Sequence, residues 1–297
     1  MEQIRKAMIA GQFYEHNAEA LESQIKTCFM EGNGPGRVPV IGKEKKPLTG
    51  VIVPHAGLSF SGGIAAHSYA KIAESGFADV FIILGPNHRG IGSGVSVSSS
   101  EFWETPLGKI AVDSSIFNKL SGSIIDLDDT AHNQPENSIE VQLPFLQFLG
   151  KNKSYSIVPI AIGMQDFQTA EEIGTLLATV IKNDSRTIRI IASSDFSHEG
   201  MAYGRMPPPN TNVNDHAKKQ DKHAIDHILE LDPKGLIETI QTHNISMCGY
   251  GPVISLLTAA EKLKSTSPTA ELLKYGTSYD VFPDSNACVG YAAFAIQ

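Results

Sequence analysis

The chain has 297 residues, of which 41% are hydrophobic and 19% charged, with a formal net charge of −8 at neutral pH. This composition is typical of a globular protein and allows one large core or two modest ones. Because the acidic balance comes without a long basic run, the chain has no built-in attraction to nucleic acid or to an anionic membrane surface, and we expect neither as a partner.

The start of the chain, MEQIRKAMIAGQFYEH, carries charges every few residues and lacks the apolar segment of a signal peptide. No stretch approaches the roughly 18 apolar residues that cross a bilayer. Cys28, Cys248 and Cys288 are an odd number of cysteines, which fits a reducing compartment better than a disulfide scaffold. We therefore expect a cytoplasmic protein.

Strands and helices are predicted to alternate along the chain. Short β-branched runs that are apolar on both faces predict covered strands at residues 50–54, 79–85, 155–163 and 186–194, and a last strand is predicted at 286–294. Helical periodicity and good helix formers predict helices at residues 64–75, 137–150, 167–183, 215–232 and 251–264. This alternation predicts an α/β protein with a largely parallel central sheet between two helical layers, a three-layer α/β/α class.

Two segments rich in Gly, Pro and polar residues, 31–47 and 200–214, are predicted to be loops. Neither loop separates halves of different composition, and no internal repeat is visible. We therefore expect a single domain over residues 1–297.

Ionisable side chains follow three of the predicted strands. His55 comes after the strand at 50–54, His88 after the strand at 79–85, and Asp195 and His198 after 186–194. In open α/β sheets ligands bind outside the carboxyl ends of the strands. These side chains are therefore expected to share one crevice.

Cys248 lies just before a predicted helix, where backbone N–H groups and the helix dipole lower the pKa of a thiol. Two imidazoles and a thiolate bind a divalent transition ion while leaving coordination positions open. The residues alone leave an alternative, since phosphate or another anion also binds at helix starts.

Other candidate residues have structural interpretations. His223 and His227 have the spacing of a helical metal pair, but the stretch lacks the catalytic glutamate of zinc proteases and is interpreted as a solvated face. Glu136 and Glu140 lie one helical turn apart, where capping or a surface position is as reasonable as catalysis. Structural roles in packing are also expected for Cys28, His67 and Cys288.

Five motifs in order, PHAGLSFSGG, ILGPNH, ENSIEVQLPFLQ, SSDFSH and MCGYGP, resemble the Memo family, whose archaeal and bacterial members are called AmmeMemoRadiSam system protein B. The resemblance extends to the closing ACVGYAAFAI and implies a fold similar to the LigB-type class III extradiol dioxygenases, which open catechol-like rings with non-haem Fe(II). It implies His55, His88 and Cys248 as metal ligands, with Cys248 where the dioxygenases use a carboxylate. His198 falls at their acid/base histidine, and Asp195 lines the same pocket.

The chain departs from this pattern at three positions that are expected to contact substrate. The family's usual EHS motif reads ENS here, so Asn137 supplies an amide that cannot transfer protons near neutral pH. Animal relatives carry a tryptophan and a tyrosine, associated with a peptide-binding surface, where this chain has Phe13 and Phe60. Apolar contact is retained at both positions, but the polar groups are lost.

The resemblance and the residues together predict a metal-dependent, dioxygenase-like oxidoreductase acting on a small cyclic or phenolic substrate, with Fe(II) favoured and copper or zinc as alternatives. The alternatives are a peptide-binding adaptor and a metal- or redox-handling protein that uses the same crevice without catalysis. No arginine cluster accompanies the motifs, which argues against phosphopeptide capture. The family name also implies a radical-SAM protein and an AMMECR1-type protein as pathway partners, and the oligomeric state is left open.

Overall fold

A computed structural model describes residues 2–263 and 267–297. Its strands are β1 Ile4–Arg5, β2 Gly50–Val53, β3 Val80–Pro86, β4 Val95–Val97, β5 Phe102–Thr105, β6 Gly108–Val112, β7 Asp126–Leu127, β8 Ser156–Ile162, β9 Ile188–Ser193, β10 His198–Glu199, β11 Ala270–Thr277 and β12 Cys288–Ile296. Its helices are α1 Ala18–Met30, α2 Leu58–Glu74, α3 Ser114–Leu120, α4 Asn137–Glu140, α5 Leu143–Leu149, α6 Phe167–Lys182, α7 Val213–Leu229, α8 Pro233–His243 and α9 Tyr250–Leu263.

One large sheet has the strand order β1-β5-β6-β8-β3-β9-β2-β12-β10. The central strands β8, β3, β9 and β2 are parallel neighbours, whereas β12 runs antiparallel beside β2 and pairs with β11 on its other side. Parallel strands need long crossover connections, and here helices supply several of them, including α2 between β2 and β3 and α6 between β8 and β9. The predicted parallel central sheet between helical layers is confirmed.

Alternate side chains of the central strands enter two different cores. Ile52, Ile82 and Ile190 point to the face covered by α6, α7, α8 and α9. Val51 and Ile83 point to the opposite face, which is covered by α1, α2 and α5. Because successive strand residues point to opposite faces, strands covered on both sides must be apolar at every position, as their sequences are.

The structure differs from the predicted elements in several places. The helix predicted at 137–150 is two short helices, α4 and α5, and Pro144 lies in the first turn of the second, where its missing N–H is tolerated. Helix α2 begins at Leu58, six residues before the prediction. The final residue of the helix predicted at 251–264 lies outside the described residues. Elements that the sequence pattern did not predict are α1, α3, α8, β1, β4 to β7, β10 and β11.

The topology places β3, β9 and β2 side by side, so their carboxyl ends open at one edge of the sheet. The residues that follow these ends are His88, Asp195 and His55. Across the described ranges, none of the helices combines the length and the apolar character required to span a membrane.

Candidate metal centre

Three potential ligands meet at the carboxyl edge of the sheet. The imidazole rings of His55 and His88 have their centroids 5.2 Å apart. Cys248 approaches from the turn before α9, and its Sγ lies 3.2 Å from His55 Nε2. One donor atom from each of the three residues lies within 4.8 Å of the other two. The structure therefore brings together the three residues that the sequence singled out as ligands.

Hydrogen bonds fix the tautomer of His55. The Ser193 hydroxyl donates its one proton to the Ser138 carbonyl at 2.6 Å, so its oxygen must accept every other bond it makes. It accepts from Gln142 Nε2 at 2.9 Å and lies 2.8 Å from His55 Nδ1. His55 Nδ1 is therefore the protonated nitrogen, and the lone pair of Nε2 is left for a ligand.

Gln142, which takes part in this arrangement, is itself held in place. Its Oε1 accepts from the Tyr69 hydroxyl at 2.6 Å, and its Nε2 also donates to the Pro54 carbonyl at 3.1 Å. Gln142 and Ser193 are both buried, with 1% and 0% of their surface exposed. The amide therefore cannot rotate without leaving a buried polar group unpaired.

A carboxylate performs the same function for His88. Glu136 Oε1 lies 2.9 Å from His88 Nδ1, and Oε2 accepts the His88 backbone N–H at 2.7 Å. Burial opposes ionisation of Glu136, but the bonds from His88 and from the Ser138 backbone lower its pKa to about 2. By accepting the Ser138 N–H, Glu136 also caps α4. Because Glu136 occupies Nδ1 of His88, Nε2 is the ring nitrogen that remains available to bind a metal ion.

The sequence predicts a lowered pKa for Cys248, and this prediction is wrong for the protein groups considered without a metal ion. Burial, and then the Asp195 carboxylate, raise the pKa of this thiol well above its usual range. Backbone donors at the start of α9 are used by other groups, because Ser194 Oγ accepts from Gly249 and Gln165 Oε1 accepts from Gly251. Neither of these N–H groups therefore bonds to the sulfur, and desolvation is the largest effect on its pKa.

Asp195 and His198 lie beside the ligand residues. Asp195 Oδ1 accepts the backbone N–H groups of His55 at 2.7 Å and Ala56 at 3.3 Å, which fixes the turn after β2. His198 Nδ1 lies 3.1 Å from the Ser246 carbonyl, an acceptor only, so Nδ1 carries the proton. Nε2 of a neutral His198 ring is then able to accept a proton from a ligand.

A cavity of about 570 Å³ opens over these residues. Phe13, Phe60 and Asn137, the predicted substrate contacts, all line it together with both imidazoles of the ligand set, Asp195 and His198. The Asn137 amide donates to the His55 carbonyl at 2.9 Å and so helps to hold the turn. Sequence reasoning missed a second set of lining residues, which come from the 200–214 loop and the segment around β12: Tyr203, Ser278, Phe282, Asp284, Ala287, Val289 and Tyr291.

Glu140 positions one wall of this cavity and is not a surface residue. It is fully buried, pairs with Arg5, and accepts from the backbone of Met8 and from the Tyr14 hydroxyl at 2.6 Å. These bonds hold the segment that carries Phe13, whose carbonyl accepts from Leu58 at 2.8 Å.

The other histidines and cysteines have different surroundings. His67 Nε2 lies 2.9 Å from the Asn33 carbonyl, and Cys28 and Cys288 are buried. His223 stacks on His243 with ring centroids 4.3 Å apart. His227, one turn further along α7, has a donor atom within 4.8 Å of Glu230 and Asp232. The stretch HILELD contained this second cluster, which the sequence analysis did not recognise.

The side chains at the carboxyl edge of the sheet fit a divalent transition ion. Each imidazole uses Nδ1 in a bond to the protein, leaving Nε2 as a ligand atom, and the sulfur is within reach of both. Imidazole and thiolate ligands suit iron, copper and zinc.

Known proteins match this chain over most or nearly all of its length. The family described as Memo-like protein matches residues 5–295. A protein of Methanosarcina mazei named MEMO1 family protein is 43% identical over 295 residues, covering 99% of this chain and all of that relative. A Methanopyrus kandleri protein with the same family name is 40% identical over 99% of both chains. The crystal structure of an uncharacterized protein of Escherichia coli K12 shares the fold, with a TM-score of 0.53 and 14% identity over 84% of this chain and all of that one.

Proposed function

The chain belongs to the Memo family, and from this premise we propose that it binds a divalent transition ion through His55, His88 and Cys248. Fe(II) is the favoured ion, with copper and zinc as alternatives. The bound ion serves a dioxygenase-like oxidoreductase reaction on a small ring-bearing substrate in the cavity above it. All three cysteines are free thiols, which agrees with the reducing cytoplasm where Cys248 remains available as a ligand.

The observation that carries this proposal is the shared protonation pattern of the two imidazoles. Both Nδ1 atoms bond to buried or half-buried protein acceptors, Ser193 for His55 and Glu136 for His88. Histidines that ligate metals commonly donate their second nitrogen in this way, because the bond sets ring orientation and raises ligand basicity. The second nitrogens then face the site, since His55 Nε2 lies 3.2 Å from the Cys248 sulfur and one donor atom of His88 lies within 4.8 Å of both.

The surrounding residues supply proton transfer and orientation. When bound, the ion would supply Lewis acidity and redox chemistry. His198, protonated at Nδ1, holds Nε2 ready to take the proton of a substrate hydroxyl. Asp195 keeps the turn that presents His55 in place. Phe13 and Phe60 provide apolar contact for the ring of a substrate.

Metal analysis tests the proposal directly. Protein purified without a tag or chelator is expected to carry iron, copper or zinc close to one ion per chain. His55→Ala, His88→Ala and Cys248→Ala should each lose it, whereas His198→Ala should retain the ion and lose turnover. With Co(II) in place of the native ion, a thiolate-to-metal absorption band should be present in the wild type and absent in Cys248→Ala. Equal metal loss in all four variants would make His198 a ligand, and full retention in all would place the ion elsewhere.

Asn137 favours a second candidate, metal handling without ring cleavage. Its amide is occupied by the His55 carbonyl and cannot transfer a proton near neutral pH. If the missing imidazole limits catalysis, Asn137→His should raise catechol-dependent oxygen consumption by the iron-loaded protein. If consumption stays at background while iron is bound, metal handling becomes the better description.

A further inference from the structure

We propose that the cavity selects its ligand by charge and takes a phenolic amine, with the hydroxyl directed to the ligand residues and the protonated amine at the mouth beside Asp284. The orientation of the hydroxyl rests on the proposed function. The preference for a cation does not, because it follows from the side chains of the cavity wall.

Aromatic rings make up much of this wall. Tyr291 is 2% exposed and lies deep, whereas Phe60, Tyr203 and Phe282 are 44%, 43% and 64% exposed and surround the mouth. Exposed large apolar side chains gathered around a cavity are typical of a binding site. Flat apolar ligands bind most favourably against such walls, and an organic cation over a ring face has a further favourable electrostatic contribution to its binding free energy.

The fixed charges of the wall have one sign. Asp195 and Asp284 line the cavity together with the imidazoles of His55, His88 and His198, and among the described lining residues there is no lysine or arginine. Two arginines that follow site motifs in the sequence are turned to other partners. Arg89 donates to the Pro135 carbonyl, and Arg205 pairs with Glu199. A carboxylate or phosphate beside Asp284 would therefore meet negative charge with no lysine or arginine of the lining to compensate it.

Both carboxylates keep an oxygen available to a ligand. Asp195 bonds to backbone N–H groups through Oδ1, and Asp284 accepts the Asn286 N–H through its own Oδ1. In the part of the chain that the structure describes, neither Oδ2 atom has a protein donor. A protonated amine supplies the donors and the charge that these oxygens lack.

Tyr203 connects the two carboxylates with the proton-transfer residue. Its ring meets that of His198 edge to face, with centroids 5.3 Å apart. Tyr203, Asp195 and Asp284 line the same cavity. An amine beside Asp284 lies near this aromatic ring, and the phenol ring extends from it toward His198.

Three phenols that differ mainly in charge test the preference: tyramine, 4-ethylphenol and 3-(4-hydroxyphenyl)propionate. Calorimetric titration of Zn(II)-treated protein avoids oxidation of the probes. Tyramine should bind most tightly and the carboxylate most weakly, with about a tenfold difference between tyramine and 4-ethylphenol. Asp284→Asn should remove most of that difference without weakening 4-ethylphenol, and Asp284→Lys should reverse the order. Asp226→Asn, an exposed position on α7, is the matched control and should behave as the wild type.

The outcomes separate this inference from the proposed function. Equal affinities for the three phenols, or an unchanged order in Asp284→Lys, would overturn charge selection while leaving the metal result intact. A tyramine preference in protein that binds no zinc in the same samples would support charge selection and contradict the metal site. No binding of any phenol would overturn both the ligand class and the substrate part of the proposed function.

Discussion

Two clusters in this protein each bring three potential ligand atoms within 4.8 Å of one another, yet their surroundings differ. The central cluster is His55, His88 and Cys248, and the surface cluster is His227, Glu230 and Asp232. In the central cluster the surrounding protein occupies the Nδ1 atom of each imidazole and leaves Nε2 for a ligand. Buried partners hold both rings in that state.

In the surface cluster two of the three members, His227 and Asp232, are bonded to each other, and Asp232 also bonds to nearby backbone. Asp232 caps α8 by accepting the Gly235 N–H at 2.9 Å, and its second oxygen lies 3.2 Å from His227 Nδ1. The side chains of His227 and Asp232 are 30% and 43% exposed, and exposure alone does not separate the clusters, because His88 is 36% exposed. A metal ion at the surface cluster would have to replace the bond between His227 and Asp232. Proximity of donor atoms is therefore insufficient, and the groups behind the ligands decide whether a site is prepared.

The largest expected difference between the clusters is in metal content. His55→Ala should abolish retention of a transition ion, because the remaining pair lacks a third ligand, whereas His227→Ala should leave the content unchanged. Elemental analysis of both variants, purified side by side without a tag, checks this. Loss of metal in His227→Ala with retention in His55→Ala would reverse the assignment of the two clusters.

A change behind the ligands should have an intermediate effect. Ser193→Ala removes the acceptor of His55 Nδ1 and frees the ring to rotate or change tautomer, so metal affinity should fall about 10–100-fold. Competition with a chromophoric chelator measures this affinity.

Ser68→Ala is the matched control for that change. Ser68 is also a fully buried serine whose hydroxyl donates to a carbonyl, that of Ile52, but it does not contact the central cluster. Both variants should lose about 1–3 kcal/mol of unfolding free energy. Equal metal affinity in the two variants would show that Ser193 acts on stability alone.

The smallest expected effect concerns the support of the segment that carries Asp195 and His198. Asp221 is fully buried and accepts the Ser197 N–H at 2.8 Å and the Tyr275 hydroxyl at 2.7 Å. Burial, assisted by the charge of Glu199, raises its pKa to about 6. The folded state therefore binds this proton more tightly than the unfolded state, and the contribution of Asp221 to stability falls as pH rises from about 4 to about 6.

Asp221→Asn should remove this dependence. Relative to the wild type, the unfolding free energy of the variant should improve by on the order of 1–2 kcal/mol between pH 4.5 and pH 7. Denaturant titrations at both pH values measure the change, with Asp226→Asn on the same helix as a control. A constant difference between variant and wild type at the two pH values would assign Asp221 an ordinary pKa.

The sequence was sufficient for the parts of the site that depend on strand patterning. Runs such as VFIILG are apolar at each position, so the strand ends, and with them His55 and His88, could be located. Patterning carries no information on how distant polar groups pair. The bond between Gln142 and Ser193 joins residues 51 positions apart, and the acid at the cavity mouth, Asp284, lies in an irregular segment without a motif. The prediction of a lowered pKa for Cys248 was wrong because two things depend on tertiary packing: the burial of the thiol, and which groups bond to the N–H groups at the start of the helix.

The position of β12 has a consequence for biosynthesis. This strand lies between β2 and β11, and Phe294 is paired with Ile52, which is far from it in the sequence. Before β12 has been synthesised, β2 has only β9 as a neighbour, and its other edge presents unpaired backbone groups to solvent. Val289 and Tyr291, which wall the cavity, belong to the same strand and emerge long after β2. The nascent chain must therefore keep an open sheet edge protected until β12 has been synthesised, and a chaperone that shields this edge would act before the cavity can close.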